Sequence, residues 1–291
     1  MVDLINEKNK VCPSTLYLVG TPIGNLSDMS QRAIKILSEV DFVAAEDTRN
    51  SGRLLAHFGI SKPLVSYYEH NKREKGEEIV KRLLAGESCA LITDAGMPAI
   101  SDPGEDLVRI CAEHGISVTT VPGACAMITA LTLSALSTSR FVFEGFLPVQ
   151  KKERKQRLDQ LVNETRTFIL YEAPHKLRTT LSDLSEVLGQ DRKIAICREL
   201  TKINEEIQRM TLGEACEIYS AREPRGEYVL VIDGTDKVAS LSKEVLRDKD
   251  ALREAVSKLC MDGMSKNSSI KSVAEANGMT RNQLYDMLIE K

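Results

Sequence analysis

Leu16-Tyr17-Leu18-Val19, running into Gly20-Thr21-Pro22-Ile23-Gly24-Asn25, decides how the chain is read. A short apolar run that ends in a Gly/Pro loop and gives way to a helix-period segment over 31–40 is the strand–loop–helix signature of an α/β unit. The pattern recurs. Phe42-Val43-Ala44-Ala45 precedes a helical stretch over 49–58, and a weaker strand falls at 64–66. Residues 74–84 then place Ile79, Val80, Leu83 and Leu84 on one helix face. A buried-type strand over 88–93, a helix over 105–113 and a strand over 117–121 continue the alternation. Strands alternating with helices predict right-handed crossovers and a mainly parallel sheet.

Pro122-Gly123 interrupts the pattern and marks a boundary. Beyond it come a small-residue apolar helix over 124–136, a strand over 141–144, a helix over 151–162, a strand over 167–171 and a helix over 174–188. Strands over 193–197 and 227–232 complete a second sheet, whose less regular spacing predicts a mixed one. After Asp233-Gly234-Thr235-Asp236 the apolar strands stop, and residues from about 240 read as helical. The expected organisation is two α/β domains over 1–122 and 123–236 with a cleft between them, followed by a helical module over 237–291.

Composition narrows the function. The chain has 291 residues, 39 Lys/Arg against 42 Asp/Glu, and a net charge of −3, so any nucleic-acid contact must be local. No apolar run is long enough to span a membrane, and residues 1–10 lack the apolar core of a secretory signal. The seven cysteines form no C-x-x-C pair and the four histidines are scattered, which points to a reduced, cytoplasmic protein without a metal site. Trp is absent, so aromatic platforms for single strands are not expected.

The chemistry gathers at the carboxyl ends of the strands. There lie Gly20–Asn25, Glu46-Asp47-Thr48-Arg49, Asp94-Ala95-Gly96-Met97-Pro98, Pro122-Gly123-Ala124, Tyr171-Glu172-Ala173-Pro174-His175 and Arg198-Glu199-Leu200-Thr201. In an open α/β sheet these ends share one edge, where ligands bind. One Gly/Pro loop is ordinarily a turn; several at consecutive strand ends, interleaved with acids, predict a cleft lined largely by main chain. No Walker loop, G-x-G-x-x-G, H-E-x-x-H or G-x-S-x-G is present.

Taken together, Gly20–Leu26, Ala45–Arg49, Asp94–Pro98 with Ser101–Gly104, Val121–Gly123, Glu144–Pro148, Tyr171-Glu172 and Arg198–Lys202 resemble the bacterial small-subunit ribosomal RNA (cytidine 2′-O) methyltransferases, within the tetrapyrrole methylase superfamily. The likeness covers about residues 15–235, and the helical tail also resembles that family's C-terminal module. Two positions depart from its pattern, Met97 in place of Thr and Ala124 in place of Pro, both in loops where main-chain contacts survive the change. The resemblance implies the tetrapyrrole methylase fold and S-adenosyl-L-methionine as cofactor. It implies contacts from Pro22, Asp94, Gly96, Met97, Ile100, Ser101, Asp102, Pro122, Gly123, Ala124 and Cys125, with Tyr171, Leu200 and Pro224 closing over the adenine. Gly96 reads as a close-approach position, where Val should clash with the cofactor and leave the fold intact. The implied partner is 16S ribosomal RNA in the small subunit, and the implied assembly is a homodimer.

A ribose 2′-hydroxyl is a poor nucleophile until its proton is removed, so a carboxylate or imidazole is expected within reach. Asp47 and Glu172 are the candidates, with His175 behind them. If Asp47 is the base, Asp47→Asn should reduce turnover far more than binding; if it only caps a helix, Asn should serve equally. Arg49 offers a planar fork for phosphate. Lys151, Lys152, Arg154 and Lys155 open a helix beside the cleft and read as phosphate contacts. In the tail, the apolar rhythm before Gly278, with Thr280 as N-cap and Arg281 following, fits a helix–turn–helix. Ten Lys/Arg against eight Asp/Glu over 237–291 favour RNA only weakly. A methylase acting on a tetrapyrrole precursor is the alternative, disfavoured by the basic helix and the tail; a non-catalytic binding module would need a blocked cleft.

Overall fold

The computed structural model describes residues 10–235, 249–261, 264–277 and 279–289. The stretch 1–9, most of the segment read as lacking a signal sequence, lies outside the described residues, as do the start of the tail and Gly278. The described residues divide into two compact units: one holds both sheets, the other the C-terminal helices with 160–165.

Strands β1 (Thr15–Val19), β2 (Phe42–Ala45), β3 (Leu64–Ser66), β4 (Cys89–Ile92) and β5 (Ser117–Val121) form a sheet ordered β3-β2-β4-β1-β5, parallel throughout. Helices α1 (Gln31–Glu39), α2 (Thr48–His57), α3 (Lys72–Leu84) and α4 (Gly104–Glu113) supply the crossovers. Because helices cover both faces, β2 and β4 are buried along their whole length and read as unbroken apolar runs. Alternate residues still choose opposite faces. Tyr17, Val19, Val43, Ala45, Ala90 and Ile92 pack with α1 and Leu55 of α2, whereas Leu16, Phe42, Ala44, Cys89 and Leu91 pack with α3 and α4.

The second half contributes α5 (Ala126–Leu133), β6 (Phe141–Gly145), α6 (Lys151–Leu161), β7 (Thr167–Glu172), α7 (Leu177–Leu188), β8 (Lys193–Arg198), β9 (Glu206–Thr211), α8 (Leu212–Ala221) and β10 (Tyr228–Ile232). Its sheet is ordered β6-β7-β10-β8-β9 and is mixed: β6 and β7 run parallel, the other pairs antiparallel. Three sequence expectations change here. β9 was not foreseen, because Glu-Ile-Gln-Arg-Met-Thr forms an edge strand with no fully buried residue and so carries no apolar run. The helix expected over 174–188 begins as a 3-10 turn at Pro174–Lys176 before α7 takes over. The helix expected over 124–136 is shorter and stops at Leu133, with Ser134 as its cap and Ala135 turned to φ 61°.

The C-terminal unit contains α9 (Lys249–Met261), α10 (Lys266–Ala276) and α11 (Arg281–Ile289), which bury Leu252, Val256, Ile270, Val273, Ala274 and Leu284. Thr280 caps α11 as expected: Gln283 N donates to Thr280 Oγ1 at 3.3 Å, and Thr280 N donates to Gln283 Oε1 at 2.7 Å.

One close approach positions the loops at the top of the first sheet. A Cβ built on Gly123 meets Gly20 Cα and C at 2.9 Å, which is backbone against backbone and leaves nothing to rotate away. Gly123→Ala should therefore destabilise the protein by roughly 1–3 kcal/mol. Gly52→Ala, inside α2 with only Leu64 Cδ1 at 3.5 Å, should stabilise it by roughly 0.5–1 kcal/mol. Opposite shifts of the melting temperature are the expected result.

Candidate active site

The loops after β1 and β4 are stitched together through their backbones. Thr21 N donates to Gly96 O at 2.9 Å and Gly96 N to Thr21 O at 3.2 Å, while Thr21 Oγ1 donates to Thr93 O at 3.1 Å. Gly96 sits at φ 87°, and a Cβ there would lie 3.2 Å from Ile23 Cγ2 and 3.3 Å from Ala124 O. The expectation that Val at Gly96 leaves the fold intact is therefore corrected: that backbone conformation strains any side chain. Met97 folds back so that its sulfur accepts from Gly123 N at 3.3 Å, linking a third loop to the pair.

Behind these loops lies a cavity of about 390 Å³. Of the residues expected at the cofactor, Gly96, Met97, Ile100, Cys125, Tyr171 and Leu200 line it. Ile23, Phe146, Cys197 and Val229 complete an apolar wall. Tyr171 is held there by Met127 N, which donates to its hydroxyl at 3.2 Å, and by the Phe143 and Phe146 rings; burial pushes its phenol up to about 12. Glu172 brings a carboxylate that is only 5% exposed as a residue. Thr180 Oγ1 donates to its Oε2, and Ala173 N donates to Oε1 at 2.8 Å.

The remaining expected cofactor residues fall elsewhere. Pro22 and Asp94 line a separate, smaller cavity with Asn50 and Thr93. Asp102 organises its own loop, accepting from Ala99 N at 3.0 Å, Ile100 N at 3.3 Å and Gly104 N at 2.7 Å, with Ser101 at φ 61°. Pro122, Gly123 and Ala124 do not line the main cavity; Gly123 and Ala124 back the Gly20 and Gly96 loops. Pro224 is off the wall too, and its segment contributes Glu227, Tyr228 and Val229 instead. These residues carried no motif. Tyr228 is nonetheless the register partner of Glu172, so pairing of β10 with β7 was the signal that would have found it.

The carboxylates at the strand ends are not alike. Asp47 caps α2, accepting from Arg49 N at 2.8 Å, and pairs with the Arg49 side chain through Nε at 3.2 Å and Nη2 at 2.8 Å. Those bonds from Arg49 hold its carboxyl down to about 2. Glu46 moves the other way: burial pushes its carboxyl up, against the Thr93 hydroxyl bond, and the nearby Asp94, Asp102 and Asp47 charges add to the rise. His175 stands exposed on the 3-10 turn.

The basic run on α6 splits in two. Arg154 turns inward, with Nε donating to Asp183 Oδ2 at 2.7 Å and Nη2 to Thr180 Oγ1 at 2.9 Å, so the expectation that it meets RNA phosphate is corrected. Arg157 pairs with Glu144 at 2.8 Å, at the irregularity in the β6–β7 register. Lys151, Lys152 and Lys155 are left on the exposed face. In the C-terminal unit, Arg281 Nη2 donates to Asn267 Oδ1 at 3.1 Å. Among the described residues no group of His, Cys, Asp and Glu is placed to hold a metal ion, and no helix is long and apolar enough to cross a membrane.

Residues 15–216 match the tetrapyrrole (corrin/porphyrin) methylases. The chain is 47% identical to ribosomal RNA small subunit methyltransferase I of Synechocystis sp., over 94% of this chain and 97% of that one. It is 43% identical to the protein of the same name from Haemophilus influenzae, over 93% and 94%. Among solved structures, uroporphyrin-III C-methyltransferase of Thermus thermophilus, complexed with S-adenosyl homocysteine, superposes with a TM-score of 0.55 at 17% identity, covering 78% of this chain and 99% of that one.

The thiols give a direct check on the cavity. Burial pushes Cys197 and Cys111 up to about 11 and Cys89 higher still, whereas Cys12 is exposed and Cys125 half-buried on the wall. Iodoacetamide at pH 8 should alkylate Cys12 first, the half-buried Cys125, Cys216 and Cys260 more slowly, and should spare Cys89, Cys111 and Cys197 until the protein is denatured. Peptide mass mapping over time reads the order.

Proposed function

The chain belongs to the tetrapyrrole (corrin/porphyrin) methylases, and on that premise we propose that it transfers a methyl group from S-adenosylmethionine to the 2′-hydroxyl of a cytidine in 16S ribosomal RNA. That it is a methyltransferase of small-subunit ribosomal RNA follows from relatives of that name that match it over nearly their whole length. The observation that supports the finer reading is a largely apolar cavity beside backbone-lined loops, with the buried Glu172 among its lining residues.

The cavity residues fit the cofactor. A volume of about 390 Å³ lies in the range of small-molecule sites. Ile23, Leu200, Cys197 and Val229 offer apolar walls for an adenine, and the main chain of Ala95 and Met97, on either side of the Thr21-bonded Gly96, offers hydrogen bonds to its edge. When bound there, S-adenosylmethionine supplies an electrophilic methyl group on a sulfonium. Glu172, at the cavity end of β7, is the candidate to take the proton of the ribose hydroxyl as its oxygen becomes nucleophilic. Asp47 is a weaker candidate, since a carboxyl at about 2 belongs to a weak base near neutral pH. Its work is to hold Arg49, whose guanidinium is 83% exposed, as a preset fork for a backbone phosphate. The exposed Lys151, Lys152 and Lys155 of α6 and, in the C-terminal unit, Arg281 are further candidate contacts for RNA. The exposed apolar Ile128 on α5 and Phe141 on β6 support a pairing of two copies. The enzyme works in the cytoplasm, where its substrate subunit is assembled.

The tetrapyrrole reading loses to the RNA reading on the name shared by the relatives and on the solvated lysines of α6. The test uses tritiated S-adenosylmethionine with small subunits that lack the modification. Glu172→Gln should lower kcat by about 10²–10⁴-fold with cofactor affinity near native. Asp47→Asn should keep its cap and its melting temperature and lose RNA affinity, not kcat. A Glu172→Gln enzyme with native turnover, beside an inactive Asp47→Asn, would move the base to Asp47.

Replacing Lys151, Lys152 and Lys155 together by Ala should weaken RNA binding for every sequence alike. Because each phosphate contact contributes about 0.9 to the slope of log K against log salt, the slope should fall by up to about 3. Filter binding between 50 and 200 mM salt measures it, and an unchanged slope would remove α6 from the RNA surface.

A further inference from the structure

Beside the main cavity lies a second one of about 210 Å³, and the two share a wall. Pro22 and Gly24 line the small cavity and Ile23 the main one; Asp94 lines the small cavity where Ala95 and Gly96 line the main one. The partition is therefore the pair of loops joined through Thr21 and Gly96. Pro22, Leu26 and Leu54 give the small cavity apolar surface, while Asn50, Ser51 and Asp94 give it a polar edge.

That edge is short of partners. Asn50 Nδ2 donates to Asp94 Oδ2 at 3.3 Å, and neither side chain makes another hydrogen bond among the described residues. Asp94 Oδ1 and the second amide N–H of Asn50 are left open. Ser51 is only 3% exposed, yet its hydroxyl has no hydrogen-bond partner among the described residues. The unpartnered hydroxyls that are closed off from all space belong to Thr167 and Thr201. Ser51 is not one of them, so its hydroxyl opens onto the cavity that the residue lines. A buried hydroxyl left unpaired costs free energy, and a ligand in that cavity would supply the partner.

The volume falls below the roughly 300–1,000 Å³ that takes a whole small ligand, so the cavity suits one ring of a larger substrate. Its edge selects the ring. An ionised carboxylate only accepts, whereas an amide N–H and a hydroxyl donate. Their complement is an exocyclic amine beside a ring-nitrogen acceptor, the edge of cytosine, whose N4 amine pairs with Asp or Glu. Uracil would turn O4 to the carboxylate and N3–H to the donors, opposing both. Adenine carries the same pair of groups on two fused rings, and the small volume favours the single ring. Bases of RNA read along this edge are unstacked and splayed into pockets. Arg49 precedes Asn50 in the first turn of α2, so its exposed guanidinium stands at the same helix end as the cavity, ready for the phosphate of that nucleotide.

We propose that the small cavity is the subsite for the base of the acceptor nucleotide, with Asp94 accepting from the cytosine amine and Asn50 and Ser51 donating to N3 and O2. The shared wall then brings the ribose of that nucleotide to the edge of the main cavity. This rests on the reading of the reaction as methyl transfer to a cytidine ribose, and it moves Asp94 from the cofactor to the substrate.

The experiment first locates the methylated cytidine in modification-deficient small subunits. It then compares those subunits with subunits carrying uridine at that position, using tritiated S-adenosylmethionine and the full-length protein. The native enzyme should favour cytidine by on the order of 10–100-fold in kcat/KM. Asp94→Asn keeps the shape and can turn either its oxygen or its N–H to the base. It should bring the ratio to within about threefold, with S-adenosylmethionine affinity by calorimetry within about twofold of native. Ser51→Ala should lower kcat/KM on cytidine roughly 3–10-fold without lowering the melting temperature, because the hydroxyl it removes holds nothing in the protein. It serves in place of Asp94→Asn if that variant does not fold. A native cytidine preference in Asp94→Asn, or native kcat/KM in Ser51→Ala, would overturn the subsite. So would a loss of cofactor affinity in Asp94→Asn equal to its loss of kcat/KM, which would return Asp94 to the cofactor. Equal rates on cytidine and uridine by the native enzyme would overturn the subsite and leave the methyl-transfer reading standing. Label absent from 2′-O-methylcytidine would overturn both.

Discussion

The site depends on backbone meeting backbone. The loops after β1 and β4 exchange two hydrogen bonds through Thr21 and Gly96, and the loop after β5 presses Gly123 onto Gly20 with no room for a Cβ. Parallel strands deliver those loops side by side, because β1 lies between β4 and β5. Glycine makes the contact possible, and the contact fixes the wall against which a ligand of the first half must rest. Side chains enter second, as with the Met97 sulfur that accepts from Gly123 N. Such a surface tolerates exchange of side chains better than exchange of glycines, which is why the departures at Met97 and Ala124 leave the architecture undisturbed.

Electrostatics then divides the work among carboxylates that look equivalent in the sequence. Asp47 follows β2 and Glu172 ends β7, yet one is bound to a guanidinium at the rim and the other is buried with a hydroxyl and a backbone N–H. The first is held to about 2 and makes a good anchor for Arg49. The second, at the cavity end of β7, has no cation in direct contact among the described residues and is the candidate to receive a proton from a neutral hydroxyl. Glu46 is a third case, pushed up by burial among other acids and bonded by Thr93. Distance to the cavity and the identity of the partner separate the three, and neither is a property of the local sequence.

Much of the fold was legible because burial on two faces writes itself as apolar runs: Phe42–Ala45 and Cys89–Ile92 could be little else. β9 was not legible, since an edge strand with polar residues lacks that signature. The cavity was legible by halves. Gly96, Ile100 and Leu200 stand in loops, and Tyr171 at a strand end, that the motifs mark, whereas Tyr228 and Val229 reach the wall through strand pairing that joins residues more than 50 positions apart. Arg154 shows the limit most plainly. Within Lys151–Arg157 it is one basic residue among five, and only the approach of α7 with Asp183 and Thr180 separates it from the lysines beside it.

The central claim is that the acceptor is a ribose hydroxyl and not a base or a tetrapyrrole. The most direct measurement is to methylate modification-deficient small subunits with tritiated S-adenosylmethionine, digest the 16S RNA to nucleosides and chromatograph them. Label that co-elutes with 2′-O-methylcytidine, and stays with the sugar when the glycosidic bond is cleaved, is the predicted result. Label that follows the free base, or an absence of label in RNA, would contradict the account.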